Sequence, residues 1–258
     1  GSTDIRIEDP DAVRCTPEEE QYILDMIPKI FPDIPVDPSQ IVFNFTGVRP
    51  LPYSGVGFTG QISRDHHIET VEADDEVSFP ILSLVGGKWT SFRAFAEQVT
   101  DDVLGRLGMA RRETTADLAI GGGRDFPVKD EDQYQWAKER TESTGLSVLR
   151  LRTLLTRYGT RADDLLLFLG EGEDAPLQAL PDYSQWEIRW LVREEKVVHL
   201  DDLLLRRSLI AWLGQASPGL LEELAEIAGG VMGWDEARRA EEITRTREIL
   251  AEQHGVKL

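Results

Sequence analysis

Apolar positions along the chain follow two grammars, one mixed and one helical, that meet near residue 126. Thr16-Pro17-Glu18-Glu19 opens a helix: Thr16 caps it, Pro17 suits its first turn and Glu19 closes a capping box. Tyr22, Ile23, Met26, Ile27 and Ile30 follow at helical spacing until Pro32 and Pro35 end the pattern. Residues 41–45 are β-rich and stop before Gly47, while 61–64 and 67–71 are shorter strand candidates. Residues 79–85 form an apolar run suited to a buried strand, with Pro80 placing its start at an edge. After Gly86-Gly87 the period changes again. Phe92, Phe95, Ala96, Val99, Val103 and Leu107 mark one face of a helix that Gly108 stops.

Gly121-Gly122-Gly123 and Pro127 read as a turn or linker, and strand signals fade beyond it. The spacing predicts helices over 131–142, 147–158, 161–169, 183–195, 200–213, 218–231 and 235–252. Trp136, Trp186, Trp190, Trp212 and Trp234 fall in this half and read as packing anchors, while His199 and His254 read as solvent-facing. The predicted fold class is α+β. Residues 1–126 would carry an incomplete mixed sheet, and 127–258 an all-α C-terminal domain.

Composition narrows the function classes. Apolar residues at 41% and charged residues at 29% allow a packed core. A net charge of −19 repels phosphate backbones, so nucleic acid is not an expected partner. No apolar run reaches the length of a spanning helix, and the first residues do not resemble a signal peptide. The single Cys15 excludes an internal disulfide, fits a reducing compartment and reads as an inert thiol.

Three segments could carry chemistry. Leu84-Val85-Gly86-Gly87-Lys88-Trp89-Thr90 predicts a strand, a glycine turn and a helix starting near Thr90, which aims free N–H groups and the positive helix end at whatever lies above. It is not a Walker A loop, because Leu82 and Trp89 occupy the positions of the first glycine and the final hydroxyl residue. An anion or cofactor edge and a plain strand-to-helix turn both remain open on spacing alone. Arg49, held extended by Pro50 at a strand end, suits bidentate contact with phosphate or carboxylate, or pairs with a surface acid. In Ser63-Arg64-Asp65-His66-His67, Arg64 is a second candidate anion ligand and His66 a proton-exchanging group. His66 and His67 alternate in facing, so no metal site is expected there.

Taken in order, these segments resemble the FAD-dependent glycerol-3-phosphate dehydrogenases and the related glycerophosphate oxidases. The likeness runs through Gly1-Ser2-Thr3-Asp4, Thr16-Pro17-Glu18-Glu19, Thr46-Gly47-Val48-Arg49-Pro50-Leu51, Ser63-Arg64-Asp65-His66 and Gly86-Gly87-Lys88-Trp89-Thr90, and on into Arg93 and Ala96-Glu97. In the helical half it extends from Glu187 through Asp201-Asp202-Leu203 to Arg206-Arg207. Ser91-Phe92 and Ser2 depart mildly from the family pattern.

The resemblance implies that Arg49 and Arg64 hold the phosphate end of glycerol 3-phosphate. It places Gly86, Gly87, Lys88 and Thr90 beside the flavin of FAD, with His66 as the catalytic-site polar residue. The implied reaction yields dihydroxyacetone phosphate and passes electrons to a quinone. Oxygen as acceptor, and a non-catalytic helical interaction module, are the alternatives. The family's FAD fingerprint is absent, so the chain is expected to begin inside the substrate domain and to be neither active nor FAD-binding alone. The resemblance implies a cytoplasmic protein, with peripheral membrane association open to the parent enzyme.

Overall fold

The computed structural model describes residues 7–48, 65–86, 88–170 and 172–258. Its elements, in order, are α1 (Pro17–Ile30), β1 (His67–Val71), β2 (Ile81–Val85), α2 (Phe92–Arg106), α3 (Asp130–Thr144), α4 (Val148–Tyr158), α5 (Ala162–Leu169), α6 (Gln185–Glu194), α7 (Leu200–Leu205), α8 (Pro218–Met232) and α9 (Glu236–His254). The chain is α+β, mostly helical, and among the described residues its sheet is a two-stranded antiparallel pair. Among the described residues no helix is long and apolar enough to cross a membrane.

Two compact units form: Gly1–Gly47 with Gly121–Leu258, and Val48–Ile120. The boundary expected at 126/127 followed the change of period, whereas compactness follows side-chain contacts that tie the stretch before Gly47 to the helices. Residues 41–45, expected as a strand, run instead along the end of α9. The Asn44 N–H donates to the His254 carbonyl at 2.9 Å, and the His254 ring donates from Nδ1 to the Asn44 carbonyl at 2.8 Å. Phe43 stacks on that imidazole at 4.5 Å and tilts against Trp212 at 4.8 Å. His254 is therefore a packing residue rather than a solvent-facing one. Its β-like neighbours at 41–45 pair with a helix end instead of a strand.

The helical unit owes its stability to a continuous apolar core. Leu151, Leu154 and Leu155 of α4, Ile188 and Leu191 of α6, and Leu220, Leu221 and Leu224 of α8 are essentially free of solvent. Each such side chain contributes about 1.5–3 kcal/mol by leaving water. Short polar caps start α4, α6, α8 and α9. Ser147 accepts from the Arg150 N–H, Ser217 from that of Leu220 and Asp235 from that of Arg238, while Ser184 forms a reciprocal capping box with Glu187.

The helix expected over 200–213 ends at Leu205. The N–H groups of Arg206 and Arg207 both turn to the Asp202 carbonyl, at 3.0 and 2.9 Å. The Ser208 hydroxyl takes the Leu203 carbonyl at 2.6 Å, which a continuing helix would have given to the Arg207 N–H.

In the smaller unit β1 and β2 pair from His67 against Val85 to Val71 against Ile81. The run expected as a buried strand is not buried: Ile81 and Leu84 are 45% and 55% exposed. A two-stranded ribbon covers only part of each face, and α2 contributes a single buried residue, Phe95.

Glu97 staples α2 to the segment after it. Its carboxylate accepts the Thr115 N–H and the hydroxyls of Thr114 and Thr115, at 2.9 and 2.8 Å for the hydroxyls, and lies 3.1 Å from Arg111. These bonds, led by the Thr115 N–H, hold its pKa down to about 2. A depressed carboxylate stabilises the fold above its ordinary value of 4.5 and loses that contribution as pH falls toward 2. The Thr115 amide resonance should follow this window. In Glu97→Gln it should no longer titrate there.

Candidate functional site

The hairpin register builds the candidate site. Because His67 pairs with Val85, the residues just before β1 and just after β2 share the open end of the ribbon. Two of the three motifs, far apart in sequence, therefore meet. Gly86 takes a left-handed φ of +75°, and a Cβ there would stand 3.2 Å from the Asp65 carbonyl oxygen and 3.6 Å from the His66 Cα. Only glycine gives both the conformation and the clearance.

The chain then makes a tight turn into α2. The Ser91 N–H donates to the Lys88 carbonyl at 3.0 Å, while the Lys88 N–H donates back to the Ser91 hydroxyl oxygen at 3.3 Å. Ser91 is spent on this turn. It makes no side-chain cap on α2, and no acidic residue stands in the first helical turn. The helix begins at Phe92 rather than at Thr90, and Lys88, Trp89 and Thr90 stand exposed on the turn before it. In a chain of net charge −19, α2 thus starts beside one ammonium, with no acidic residue in its first turn and no side-chain cap.

His66 is fixed rather than free. Its ring stacks on buried Phe95 at 4.4 Å, and Nε2 lies 3.1 Å from Gln98 Oε1, so the imidazole donates from Nε2. No motif marks Gln98, one helical turn from Phe95, as its partner. Of the predicted site residues, the structure brings His66 and Gly86 together at the ribbon's open end and leads from there into Lys88 and Thr90. Arg49, Arg64 and Gly87 lie outside the described residues.

A second polar constellation, not foreseen in the sequence, sits in the helical unit. His199, Asp201 and Glu242 offer one ligand atom each within 4.8 Å. His199 Nδ1 lies 2.8 Å from Glu242, so it too is a structural contact and not the solvent-facing residue expected. Guanidinium groups already meet these acids: Arg238 on Glu242, Arg206 at 2.8 Å and Arg245 at 3.4 Å on Asp201. The cluster is neutralised by the protein's own cations. Glu242 also accepts the Leu200 N–H at 2.9 Å, and such bonds hold its pKa low against the opposing effect of burial.

Comparison with known proteins narrows the reading. Residues 113–239 match the model of the C-terminal domain of alpha-glycerophosphate oxidase. The chain is 26% identical to a glycerol-3-phosphate dehydrogenase of Synechocystis sp., over 97% of this chain and 45% of that protein. It is 28% identical to an aerobic glycerol-3-phosphate dehydrogenase of Staphylococcus haemolyticus, over 82% and 39%. A crystal structure of the glycerol-3-phosphate dehydrogenase from Bacillus halodurans, complexed with FAD, superposes with a TM-score of 0.69 at 22% identity, covering 96% of this chain and 47% of that one. The resemblance read from the motifs is thus to the same group of proteins. The chain spans less than half the length of these relatives.

Proposed function

We propose that the chain is the C-terminal half of an FAD-dependent glycerol-3-phosphate dehydrogenase, which oxidises sn-glycerol 3-phosphate to dihydroxyacetone phosphate. The observation that carries this reading is the corner where His66, Gly86 and Lys88 adjoin an uncapped helix N-terminus. It fits a flavin edge: glycine lets the backbone approach a planar ring, and the acid-free helix start with Lys88 favours negative charge. FAD, when bound, supplies a hydride acceptor for the substrate's carbinol carbon. Gly86 and Gly87 would shape the turn, while Lys88 and the α2 N–H groups would offset charge at the ring edge. Thr90 would contribute a hydroxyl. Arg49 and Arg64 would hold the substrate phosphate as forked donors, and His66, oriented by Gln98 and Phe95, would be the polar group at the reacting end.

A quinone is the proposed electron acceptor. The match to a glycerophosphate oxidase domain favours oxygen as the second reading. The test uses this chain joined to its flavin-binding half. Wild-type enzyme should reduce quinone and consume little oxygen. Lys88→Met should slow flavin reduction by about 10²–10³-fold, the loss associated with removing one preorganised charge-stabilising group. An unaltered reduction rate in Lys88→Met would remove Lys88 from the flavin edge.

A further inference from the structure

A cavity of about 380 Å³ opens in the helical unit, where the ends of α4 and α6 and the turn after α7 meet Gly121 and Gly122. Four arginines line it (Arg157, Arg161, Arg206 and Arg207) against one carboxylate, Glu195. This excess of cations occurs in a chain whose acids far outnumber its bases. The guanidinium groups are held in place before any ligand arrives. Arg157 lies 2.9 Å from Glu187 and over the Tyr183 ring at 3.6 Å. Arg161 binds Glu195 and lies over Trp190 at 5.1 Å, and Arg206 binds Asp201 and Asp202 at 2.8 and 3.1 Å. Arg207 differs: it donates to the carbonyls of Glu195 and Arg206, and among the described residues pairs with no carboxylate. Opposite them, Gly122 and Gly159 bring bare backbone to the wall, where neither position has room for a Cβ.

We propose that this cavity binds a small phosphate-bearing anion, at a site separate from the corner around Lys88. A monocarboxylate would only replace Glu195 on Arg161, like for like. A dianionic phosphate brings a second charge and enough oxygens to engage Arg161 and Arg207 together, the geometry for which planar guanidinium forks are suited. The volume holds a phosphate monoester of a few carbons.

The test is an amide-resolved NMR titration of the 258-residue chain with inorganic phosphate and pyrophosphate, sodium chloride keeping ionic strength constant. The Gly122, Gly159 and Arg207 amides should shift and saturate. Arg207→Ala should weaken binding about tenfold or more, the size of one lost charge-assisted contact. Arg140→Ala, which breaks a pair with Asp163 outside the cavity, should bind as the wild type does. Shifts that never saturate, or that gather at Lys88 instead, would overturn the site. Arg207 also holds the end of α6, so if Arg207→Ala fails to fold, Arg207→Lys decides: weaker binding supports the fork, and equal affinity refutes it.

Discussion

Glu187→Ala should cost the helical unit about 3–5 kcal/mol, read as a lowered urea midpoint at unchanged slope. Glu187 is fully buried in α6 and closes that helix's capping box with Ser184. Its carboxylate is the meeting point of Arg150, Arg157 at 2.9 Å and the Tyr158 hydroxyl at 2.5 Å, all reaching over from α4. Alanine would leave two guanidinium groups facing each other with no anion between them. Both arginines keep about a fifth of their side chains in water, which lets them relax and places the loss toward the lower end of that range. Glu187→Gln keeps the shape and one acceptor, and should lose less. Burial, and after it the Glu187 charge, hold the Tyr158 hydroxyl well above its ordinary pKa. Removing the charge should bring the Tyr158 titration down, although burial still keeps it high. If the midpoint moves no more than for a surface glutamate, the α4–α6 ion cluster is not a stabilising one.

Helix starts were legible wherever a short-range polar rule fixed them. Thr16-Pro17-Glu18-Glu19 forms the capping box its letters spell, and α8 begins at Pro218 behind Ser217. What failed was legible only in three dimensions. Residues 41–45 are as β-prone as the true strands, but their hydrogen-bonding partner is the end of α9, some two hundred residues away. Helix α7 stops because Ser208 captures a carbonyl, a competition that apolar spacing does not register. His199 and His254 looked like surface residues because their partners, Glu242 and Asn44, are distant in sequence.

The candidate site was legible as motifs and not as a place. Glycines followed by lysine announced a turn, and the histidine segment announced a strand start. Neither stated that antiparallel register would seat Gly86 against the Asp65 carbonyl. Gln98 was invisible for a simpler reason: its value to His66 comes from lying one turn beyond Phe95 on the same helix face, next to the ring Phe95 supports. The arginine cavity escaped notice because its four guanidinium groups come from two separated pairs, Arg157/Arg161 and Arg206/Arg207, that no local pattern joins.

Gly159→Ala should cost about as much as loss of Glu187, through the backbone alone. Gly159 ends α4 with φ +59° and ψ −148°, a region that residues bearing a Cβ hardly enter. A Cβ there would also run into the Gly122 carbonyl, whose carbon would lie only 2.7 Å away, and that neighbour is main chain that cannot rotate aside. The Thr160 hydroxyl holds the two strands of backbone together by donating toward the carbonyls of Gly122 and Arg124, at 3.1 and 2.8 Å. Conformational strain of about 1–3 kcal/mol and a comparable overpacking term predict a total of about 2–6 kcal/mol. Gly145→Ala is the matched control. Gly145 ends α3 at φ +71° with nothing within 4 Å of its would-be Cβ, so it bears the left-handed penalty of about 1–2 kcal/mol and no clash. Equal midpoint shifts for the two alanines would mean that Gly122 and Gly159 do not touch. A larger shift at 159 would report its rarer φ/ψ region together with the backbone crossing that also forms the wall of the arginine cavity.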